Sequence, residues 1–422
     1  MTGLLEADQG RLGLDRVVAL AHCHLGLDAV FLAELTPAGE VHRALAGDLS
    51  SFDGVLHGER CDDPSYCGAL VAGEIPNLIR DAATNARVCG LAVTHAAPIG
   101  SFIGVPLQLS DGTPYGALCG LGHEPDQTLD ERDVRFMSML GELIVPDLDE
   151  QRRQERLHAD LMRLVDTDMV DVAYQPIIDL LAERCIGVEA LARFPESFGP
   201  PDVTLAAAKT VGLGLELERL AIREAWKIIP YLGPTQFLAL NVSPEALVEL
   251  AHRANLRPEL DLAQVVVEVT EHAAVESYAA LHRELAPLRR RGLRIAVDDA
   301  GAGYASLRHV LELQPDFIKV DRSLIHGIAD DHARRVAVGA FRSLAVDLGA
   351  TVVAEGIERP ADLQAVRELG LHTGQGYLLG RPTMSPTVLA RWIGAPQPRQ
   401  GRVPVARPNG RSRAGHDVIL AR

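Results

Sequence analysis

The strongest constraint on the fold is an alternation of short strand and helix patterns that begins at Asp171. Eight short apolar runs, each typical of a buried strand, are separated by stretches with helical periodicity. This alternation favours parallel β/α units, and eight such units favour a (β/α)8 barrel in a chain of the α/β class. The predicted strands are residues 172–178, 185–191, 236–242, 265–270, 294–298, 317–320, 351–354 and 375–379.

A polar or ionisable residue stands at or just after the carboxyl end of nearly every predicted strand. In a barrel these ends meet on one face, where active sites are built. A single residue of this kind usually caps a helix, but burying the whole set requires metal ions or a charged ligand. The set comprises Glu189, Asn241, Glu268, Asp298 with Asp299, Lys319 with Asp321, Glu355 with Glu358, and Gln375.

Two adjacent carboxylates, Asp298 and Asp299, follow the apolar run 295–297 and precede a glycine-containing segment at 301–303. Two acids at the end of a buried strand repel each other, and a divalent cation removes that conflict. Because the available ligands are all oxygen atoms, Mg²⁺ or Mn²⁺ is expected. The alternative is a strand end whose acids face water or cap the next helix.

The strand-end residues suit two metal ions that clamp a phosphodiester, activate a water molecule and stabilise the leaving oxygen. Lys319 is expected to offset charge or hold the attacking water, with a salt bridge to Asp321 as the alternative. Arg193 is expected to pair with a phosphate. The predicted ligands are Glu189, Asn241, Glu268 and Asp298 for the first ion, and Asp298, Asp299 and Glu355 for the second.

The second half of the chain resembles the EAL domains, which are cyclic di-GMP phosphodiesterases. The resemblance begins with Glu189-Ala190-Leu191 and Arg193, and it gains specificity from motifs that follow in the same order across residues 171–392. It implies a TIM-like barrel whose first strand is antiparallel to the rest, two Mg²⁺ or Mn²⁺ ions, and hydrolysis of cyclic di-GMP to linear pGpG. The supporting motifs are Tyr174-Gln-Pro-Ile177, Asn241-Val-Ser-Pro244, Glu268-Val-Thr-Glu271, Asp298-Asp299, Phe317-Ile-Lys-Val-Asp321, Ala354-Glu-Gly-Ile-Glu358 and Gln375-Gly-Tyr377.

The resemblance also implies a role for each matching residue. Lys319 becomes the catalytic lysine, assisted by Asp299 and Glu355 at the second ion, and Glu271 becomes the anchor of the loop after Asp299. The metal ligands it implies are those already expected from the strand ends. The residues implied to contact substrate or water are Gln175, Leu191, Arg193, Asp321 and Gln375.

The loop at 298–307 departs from the family pattern. The family usually has DDFGTGYSSL, whereas this chain has DDAGAGYASL, with Ala300 and Ala302 in place of Phe and Thr. Both acids and both glycines are kept, so the metal ligands are unaffected, while loop rigidity and its coupling to a dimer are open. Two functions are considered: an active phosphodiesterase regulated by the domain that precedes it, or a non-hydrolysing cyclic di-GMP receptor or protein-interaction module. The complete set of acids together with the lysine favours the enzyme.

The first half of the chain, residues 14–148, resembles a GAF domain. The features that carry the resemblance are Ile75-Pro76 with Asp81, a Gly-Val-Pro-Leu strand at 104–107, and a Gly-x-Leu-Cys strand at 116–119. Strands are predicted at 29–35 and 75–81, with a hairpin at 102–121 and a short helix at 65–73. The resemblance implies an α+β domain, an antiparallel sheet flanked by helices, with a small-molecule pocket or a dimer surface.

The ligand of the GAF-like domain stays open, because the family binds cyclic nucleotides, haem, tetrapyrroles or no known ligand. Cys67 offers a thiol for a linked chromophore, and His22, His24 or His95 offers an imidazole for haem. For each of them an ordinary structural role is the expected one.

A helical connector is predicted at residues 129–165, interrupted at Pro146 by a kink or by a break into two helices. Its apolar residues recur at helical spacing and are expected to form a seam in a homodimer. The remaining predicted segments are a leader at 1–13, the barrel at 166–393 and a disordered tail at 394–422.

Charge and composition restrict the classes of partner that the chain is expected to bind. The net charge of −16 argues against non-specific binding to nucleic acid or to an anionic membrane. The sequence has no apolar run of membrane-spanning length and no signal-peptide pattern at Met1, so we expect a soluble cytoplasmic protein. The six cysteines form no CxxC pair, and buried structural thiols are expected.

Overall fold

The structure is a computed structural model that describes residues 13–48, 52, 65–248, 262–270, 277–301 and 306–394. The chain divides into two compact units, Met1–Arg156 and Leu157–Arg422. The predicted leader up to residue 12, Glu271, Ala302 and the predicted tail from residue 395 lie outside the described residues. Among the described residues, no helix combines the length and apolar character needed to cross a bilayer.

The first unit is built on a five-stranded antiparallel sheet with the order β2-β1-β5-β4-β3. Its two faces are covered by separate apolar clusters, one containing Val30 and Ile103 and the other Phe31 and Phe102. The strands are β1 (Ala29–Thr36), β2 (Gly39–Gly47), β3 (Leu78–Ile79), β4 (Ser101–Gln108) and β5 (Pro114–Gly122), and the short helices are Leu14–Leu25, Tyr66–Val71 and Ala92–Ala96. The antiparallel sheet confirms the predicted fold class of this unit.

Two details of the sheet differ from the prediction. The strand predicted at 75–81 is reduced to β3, because Pro76 has no N–H to donate to a ladder and Asn77 instead bonds to Gly104 outside the strand. The edge strand β2 was not predicted from the sequence, although it pairs with β1 along its whole length. Most of its residues are exposed or half-buried, which removes the apolar signal of a strand.

Residues Glu131–Asp166 form a single helix that continues through Pro146. The expectation of a break into two helices at this proline is therefore wrong. Leu140, Ile144 and Leu148 are buried in the first unit on both sides of the proline, and this packing offsets the lost backbone hydrogen bond. Leu161 and Leu164 are buried in the second unit. The apolar connector residues are thus largely used within each unit, while Met139 and Leu143 remain exposed.

The second unit contains a closed eight-stranded barrel, as predicted, with the order β10-β11-β12-β13-β6-β7-β8-β9. The first strand, β6, is antiparallel to both of its neighbours, and every other neighbouring pair is parallel. The strands are β6 (Asp171–Asp179), β7 (Arg184–Arg193), β8 (Phe237–Asn241), β9 (Val265–Thr270), β10 (Arg294–Ala300), β11 (Phe317–Val320), β12 (Thr351–Ala354) and β13 (Thr373–Gly374).

Helices surround the barrel, and one apolar cluster that includes Phe237, Ala296 and Phe317 forms its own small core. The guanidinium of Arg294 lies 4.7 Å from the ring centre of Phe237 and 5.4 Å from that of Phe317. The described helices of this unit after the long helix are Pro201–Thr210, Gly214–Ala225, Tyr278–Arg290, Ser306–Leu313, Arg322–Ile325, His332–Leu348, Pro360–Glu368 and Pro386–Ile393, with 3₁₀ turns at Glu196–Phe198 and Trp226–Tyr231.

The last strand lies earlier than predicted. β13 ends at Gly374, so the strand predicted at 375–379 is wrong. The chain turns there: Leu379 N–H and Gly380 N–H both donate to the carbonyl of Gly376. Gly376 approaches the backbone of Ile357 so closely that a Cβ would lie 2.2 Å from its nitrogen. This turn ends the strand and leaves Gln375 at the carboxyl end of β13.

Candidate active site

Lys319, on β11, lies at the centre of a cluster of carboxylates at the carboxyl ends of the strands. Its Nζ is 2.8 Å from Glu268 Oε2, 2.9 Å from Glu355 Oε1, 3.0 Å from Asp298 Oδ1 and 3.5 Å from Glu189 Oε1. Only 2% of the lysine is exposed. The predicted convergence of strand ends therefore brings one ammonium and four carboxylates together.

The acids form two overlapping groups with the spacing of metal ligands. Carboxylate oxygens of Glu189, Glu268 and Asp298 lie within 4.8 Å of one another, and so do those of Asp298, Asp299 and Glu355. Asp298 belongs to both groups, as expected for a residue shared by two ions. The donors are all oxygen atoms, which suits hard divalent cations such as Mg²⁺ or Mn²⁺.

Two amide side chains bond directly to Glu189, and a third supports one of them. Asn241 Nδ2 donates to Glu189 Oε1 at 3.0 Å, and Gln375 Nε2 donates to Glu189 Oε2 at 2.6 Å. Gln375 Nε2 also donates to Gln175 Oε1, and Gln175 donates to the carbonyl of Gly380, each at 3.0 Å. Gln375 Oε1 is buried and has no hydrogen-bond partner among the described residues, so it is free to accept a bond from water or a ligand.

The charges in the cluster do not balance. Burial raises the pKa of Glu268 well above its usual value; Lys319 opposes this, while the negative charges of Glu189 and Asp298 add to it. The pKa of Glu355 is raised for the same reasons. Burial also raises the pKa of Glu189, but Lys319 and the bonds from Gln375 and Asn241 outweigh it and lower the net value. One ammonium is therefore too little positive charge for these acids, and added cations fit the site.

Asp299 has a backbone conformation that few residues adopt. Its φ is +55°, in the left-handed region, and its N–H donates to Asp298 Oδ1 at 3.0 Å. Non-glycine residues in this region are uncommon and often belong to functional sites. The strained backbone keeps Asp299 within metal-ligand distance of Asp298 and Glu355.

A cavity of about 610 Å³ extends from the strand ends of β7 and β8. Leu191, Arg193 and Asn241, which the sequence indicated, line it together with residues from the next two helices, including Lys209 and Glu218. Arg193 Nη1 presently bonds to the carbonyl of Ala192 at 2.8 Å.

The sequence interpretation missed Lys209 and Glu218, since neither follows a strand. Ser243 Oγ donates to Glu218 at 2.6 Å, and burial raises the pKa of Glu218. The motif Asn241-Val-Ser-Pro244 was the only sequence signal near them.

Asp321, which the sequence also indicated, is not one of the acids paired with Lys319 among the described residues. Asp321 caps the helix Arg322–Ile325 by accepting the N–H of Ser323 at 2.9 Å. Within the described part of the chain, Lys319 pairs with four other acids and not with Asp321, so the alternative prediction of a salt bridge to Asp321 is wrong.

In the first unit, the four residues considered for a ligand lie on three separate helices. Cys67 is buried on the helix Tyr66–Val71, with its Sγ 3.1 Å from Cys119 Sγ. His22 and His24 lie on Leu14–Leu25, where His24 stacks on Phe136 with ring centres 4.1 Å apart. His95 lies on Ala92–Ala96 and contacts the carbonyl of Cys89 at 2.9 Å.

Comparison with known families and structures agrees with both resemblances. The family model of the EAL domain matches residues 158–382, more than half of the chain, and that of a GAF domain matches residues 13–146. Among solved structures, the "PaMucR Phosphodiesterase, c-di-GMP complex" is 29% identical with a TM-score of 0.50, and covers 55% of this chain and 99% of its own.

Two curated relatives carry related names. The "Cyclic di-GMP phosphodiesterase PA2567" of Pseudomonas aeruginosa is 32% identical over 67% of this chain and 52% of its own length. The "Probable cyclic di-GMP phosphodiesterase PdeN" of Escherichia coli is 28% identical over 56% of this chain and 48% of its own. The chain thus spans about half the length of these relatives.

Proposed function

Because the chain belongs to the EAL family and carries a GAF domain ahead of that region, we propose that it hydrolyses cyclic di-GMP to linear pGpG. The observation that carries the proposal is the buried cluster of Lys319 and four carboxylates at the strand ends. A relative named as a cyclic di-GMP phosphodiesterase and a phosphodiesterase structure in complex with c-di-GMP support the choice of substrate.

The donor set fits two divalent cations, Mg²⁺ or Mn²⁺. Glu189, Asn241, Glu268 and Asp298 would hold one of them, and Asp298, Asp299 and Glu355 the other. Such ions, when bound, offset phosphate charge and lower the pKa of a water molecule. The surplus of buried negative charge around a single ammonium supports this assignment.

Lys319 is assigned to the reacting water rather than to substrate binding. Its ammonium is buried among the acids, within 3.0 Å of three of them, and its pKa is raised: burial lowers it, but the negative charges of Asp298, Glu189, Glu268 and Glu355 outweigh that effect. A protonated lysine there orients a water molecule and stabilises negative charge that develops on oxygen. Gln375 offers its free Oε1 as a second contact for that water.

Substrate contacts are assigned to the rim and the adjoining cavity. Leu191 supplies an apolar surface for a base. Arg193 supplies a guanidinium for a phosphate after it leaves the carbonyl of Ala192. Gln175 and Asp321 complete the proposed contacts, with Gln175 acting beside Gln375. Glu271 keeps its proposed role as the anchor of the loop after Asp299.

The test is a turnover assay of the purified chain with cyclic di-GMP and Mg²⁺ or Mn²⁺, with pGpG quantified by mass spectrometry. We expect pGpG in the presence of metal, none in EDTA, and recovery when metal is restored. Binding of cyclic di-GMP without any pGpG would contradict the proposal and favour the non-hydrolysing receptor.

We further propose that the GAF domain, within 14–148, regulates the barrel, within 166–393, through the connector at 129–165 in a homodimer. Met139 and Leu143 support a dimer seam, because they are 52% and 53% exposed on a helix whose other apolar residues are largely buried. Replacing both with Glu should reduce the mass measured by light scattering and change the turnover rate. The matched control is Leu181→Glu at another exposed leucine. An unchanged mass and rate in the double variant would exclude this route.

A further inference from the structure

The first unit contains a pair of thiols in direct contact. Cys67 lies on the helix Tyr66–Val71 and Cys119 on β5, and their Sγ atoms are 3.1 Å apart. The two residues are 52 positions apart in sequence, so the fold itself creates the contact. Both are buried, in the apolar cluster that contains Phe31 and Phe102. To form a disulfide, the two sulfur atoms must move about 1 Å closer together, to an S–S distance of about 2.0 Å.

The carboxylate of Glu40 affects the thiol pair electrostatically. It bonds to His42 Nε2 at 2.9 Å and accepts from Ser65 Oγ at 2.6 Å, and its negative charge adds to the effects of Cys119 and burial that raise the pKa of Cys67. The side chains of Glu40 and His42 are 12% and 7% exposed. Burial raises the pKa of Glu40, but the bonds from His42 and Ser65 outweigh it and lower the net value. Glu40 is therefore ionised, and its charge disfavours the thiolate form of Cys67.

We propose that Cys67 and Cys119 are a reversible oxidation site, which a peroxide converts into an intramolecular disulfide. Cys67 Sγ attacks one peroxide oxygen and releases its proton. The O–O bond breaks, the sulfur becomes a sulfenic acid, and the leaving hydroxide takes up the proton as water. Cys119 Sγ then attacks the Cys67 sulfur, the S–O bond breaks, and the hydroxide leaves with the Cys119 proton. In total, two thiols and one hydrogen peroxide give one disulfide and two water molecules.

The surroundings favour a disulfide over a metal site. Among the described residues, the two groups with metal-ligand spacing are both in the barrel, and the thiol pair belongs to neither. The hydrogen bond to Cys119 and burial raise the pKa of Cys67 well above its usual value, with a smaller effect from Glu40. The Cys67 thiol is thus protonated and slow to react at rest, and the proximity of Cys119 governs the product once Cys67 is oxidised.

The experiment treats the reduced full chain with hydrogen peroxide, alkylates the remaining thiols in denaturant and maps the peptides by mass spectrometry. We expect a peptide pair joined through Cys67 and Cys119, with two alkylatable thiols lost per chain and both regained on addition of dithiothreitol. If these two cysteines stay alkylatable at peroxide concentrations that oxidise the exposed Cys23, or pair only with other cysteines, the proposal is overturned.

Three variants sharpen the test. Cys119→Ala should leave a sulfenic acid on Cys67 that a dimedone-type reagent labels, whereas Cys89→Ala, the matched control in the same unit, should keep the disulfide. Glu40→Gln, which removes a negative charge that raises the pKa of Cys67, should speed disulfide formation several-fold and leave its final yield unchanged. An unlabelled Cys67 in the first variant, or an unchanged rate in the last, would contradict the corresponding step.

Discussion

Each unit of this protein has a cluster of charges around one buried side chain, and the two clusters differ in balance. In the first unit, Glu34 is 1% exposed and pairs with the partly exposed Arg43 and Arg152, while Arg43 also pairs with the exposed Glu155. Two carboxylates thus meet two guanidinium groups. In the second unit, Lys319 meets four carboxylates, which leaves an excess of three negative charges if all are ionised.

The difference indicates what each cluster does. A balanced buried cluster satisfies its own charges and joins the elements that carry it, here β1, β2 and the long helix. An unbalanced cluster is costly on its own and becomes favourable only with a bound cation or ligand. We therefore interpret the Glu34 cluster as structural and the Lys319 cluster as catalytic, and four predictions test that contrast.

Removing a metal-ligand candidate should have the largest effect. Glu189→Ala is expected to lower kcat by at least about 10³-fold, because metal ions contribute several kcal/mol and about 1.4 kcal/mol corresponds to tenfold in rate. Circular dichroism should show an intact fold, since strand-end residues of a barrel serve function more than stability. The matched control is Glu183→Ala, at an exposed surface pair, which should keep the parent rate. Parent-like turnover of Glu189→Ala would refute its assignment.

Removing the central cation should have the next largest effect. Lys319→Met is expected to lower kcat by about 10²–10³-fold, as for the loss of one group that stabilises developing negative charge. Calorimetry should show little change in the Kd of cyclic di-GMP, because binding is assigned to other groups. An equal loss of affinity and rate would make Lys319 a binding residue.

Breaking the balanced cluster should affect stability rather than catalysis. Glu34→Ala leaves Arg43 and Arg152 without their shared partner, and we expect a loss of about 2–3 kcal/mol in the free energy of unfolding. Urea unfolding measures that loss, and kcat at saturating metal should stay within about twofold of the parent, a difference of less than 0.5 kcal/mol. A variant as stable as the parent would show that the cluster contributes little.

The sequence identified the unbalanced cluster but not the balanced one. The acids at the barrel rim follow predicted strands, so strand order and a shared carboxyl edge were enough to group Glu189, Glu268 and Asp298. Glu34 and Arg152 carry no such positional signal, because the pair forms only when the long helix packs on the sheet of the first unit. Lys209 and Glu218 were missed for the same reason, since tertiary packing of helices brings them to the cavity.

The barrel was predicted from the sequence in greater detail than the N-terminal sheet. Buried parallel strands are continuous apolar runs, and three of them, Val265–Thr270, Phe317–Val320 and Thr351–Ala354, have the predicted bounds. The edge strand Gly39–Gly47 has no such run, and β13 is only two residues long, so local pattern could not locate either. The continuous helix through Pro146 depends on apolar packing to either side of it, which proline statistics do not include.

The smallest expected effect is a pH dependence of stability in the metal-free barrel. The pKa values of Glu268 and Glu355 are raised by burial in the folded state, so above the ordinary value of 4.5 the folded chain holds protons that the unfolded chain has lost. Stability in EDTA should therefore fall as pH rises through this window. The lowered pKa of Glu189 changes stability only below this pH window, and the raised pKa of Lys319 changes stability only far above it. Scanning calorimetry from about pH 5 to pH 8 would follow the change, because this range lies above the ordinary carboxyl pKa of about 4.

Mg²⁺ should oppose this pH dependence. Metal ligands must be deprotonated, so Mg²⁺ binding should stabilise the folded chain most at high pH. Glu268→Gln, which removes one of the two titrating acids, should flatten the slope in EDTA. Glu34→Ala is the matched control, since it alters the balanced cluster and should keep both the slope and the response to Mg²⁺. If stability in EDTA rose with pH across this window, the surplus of buried negative charge at Lys319 would be wrong, and with it the contrast between the two clusters.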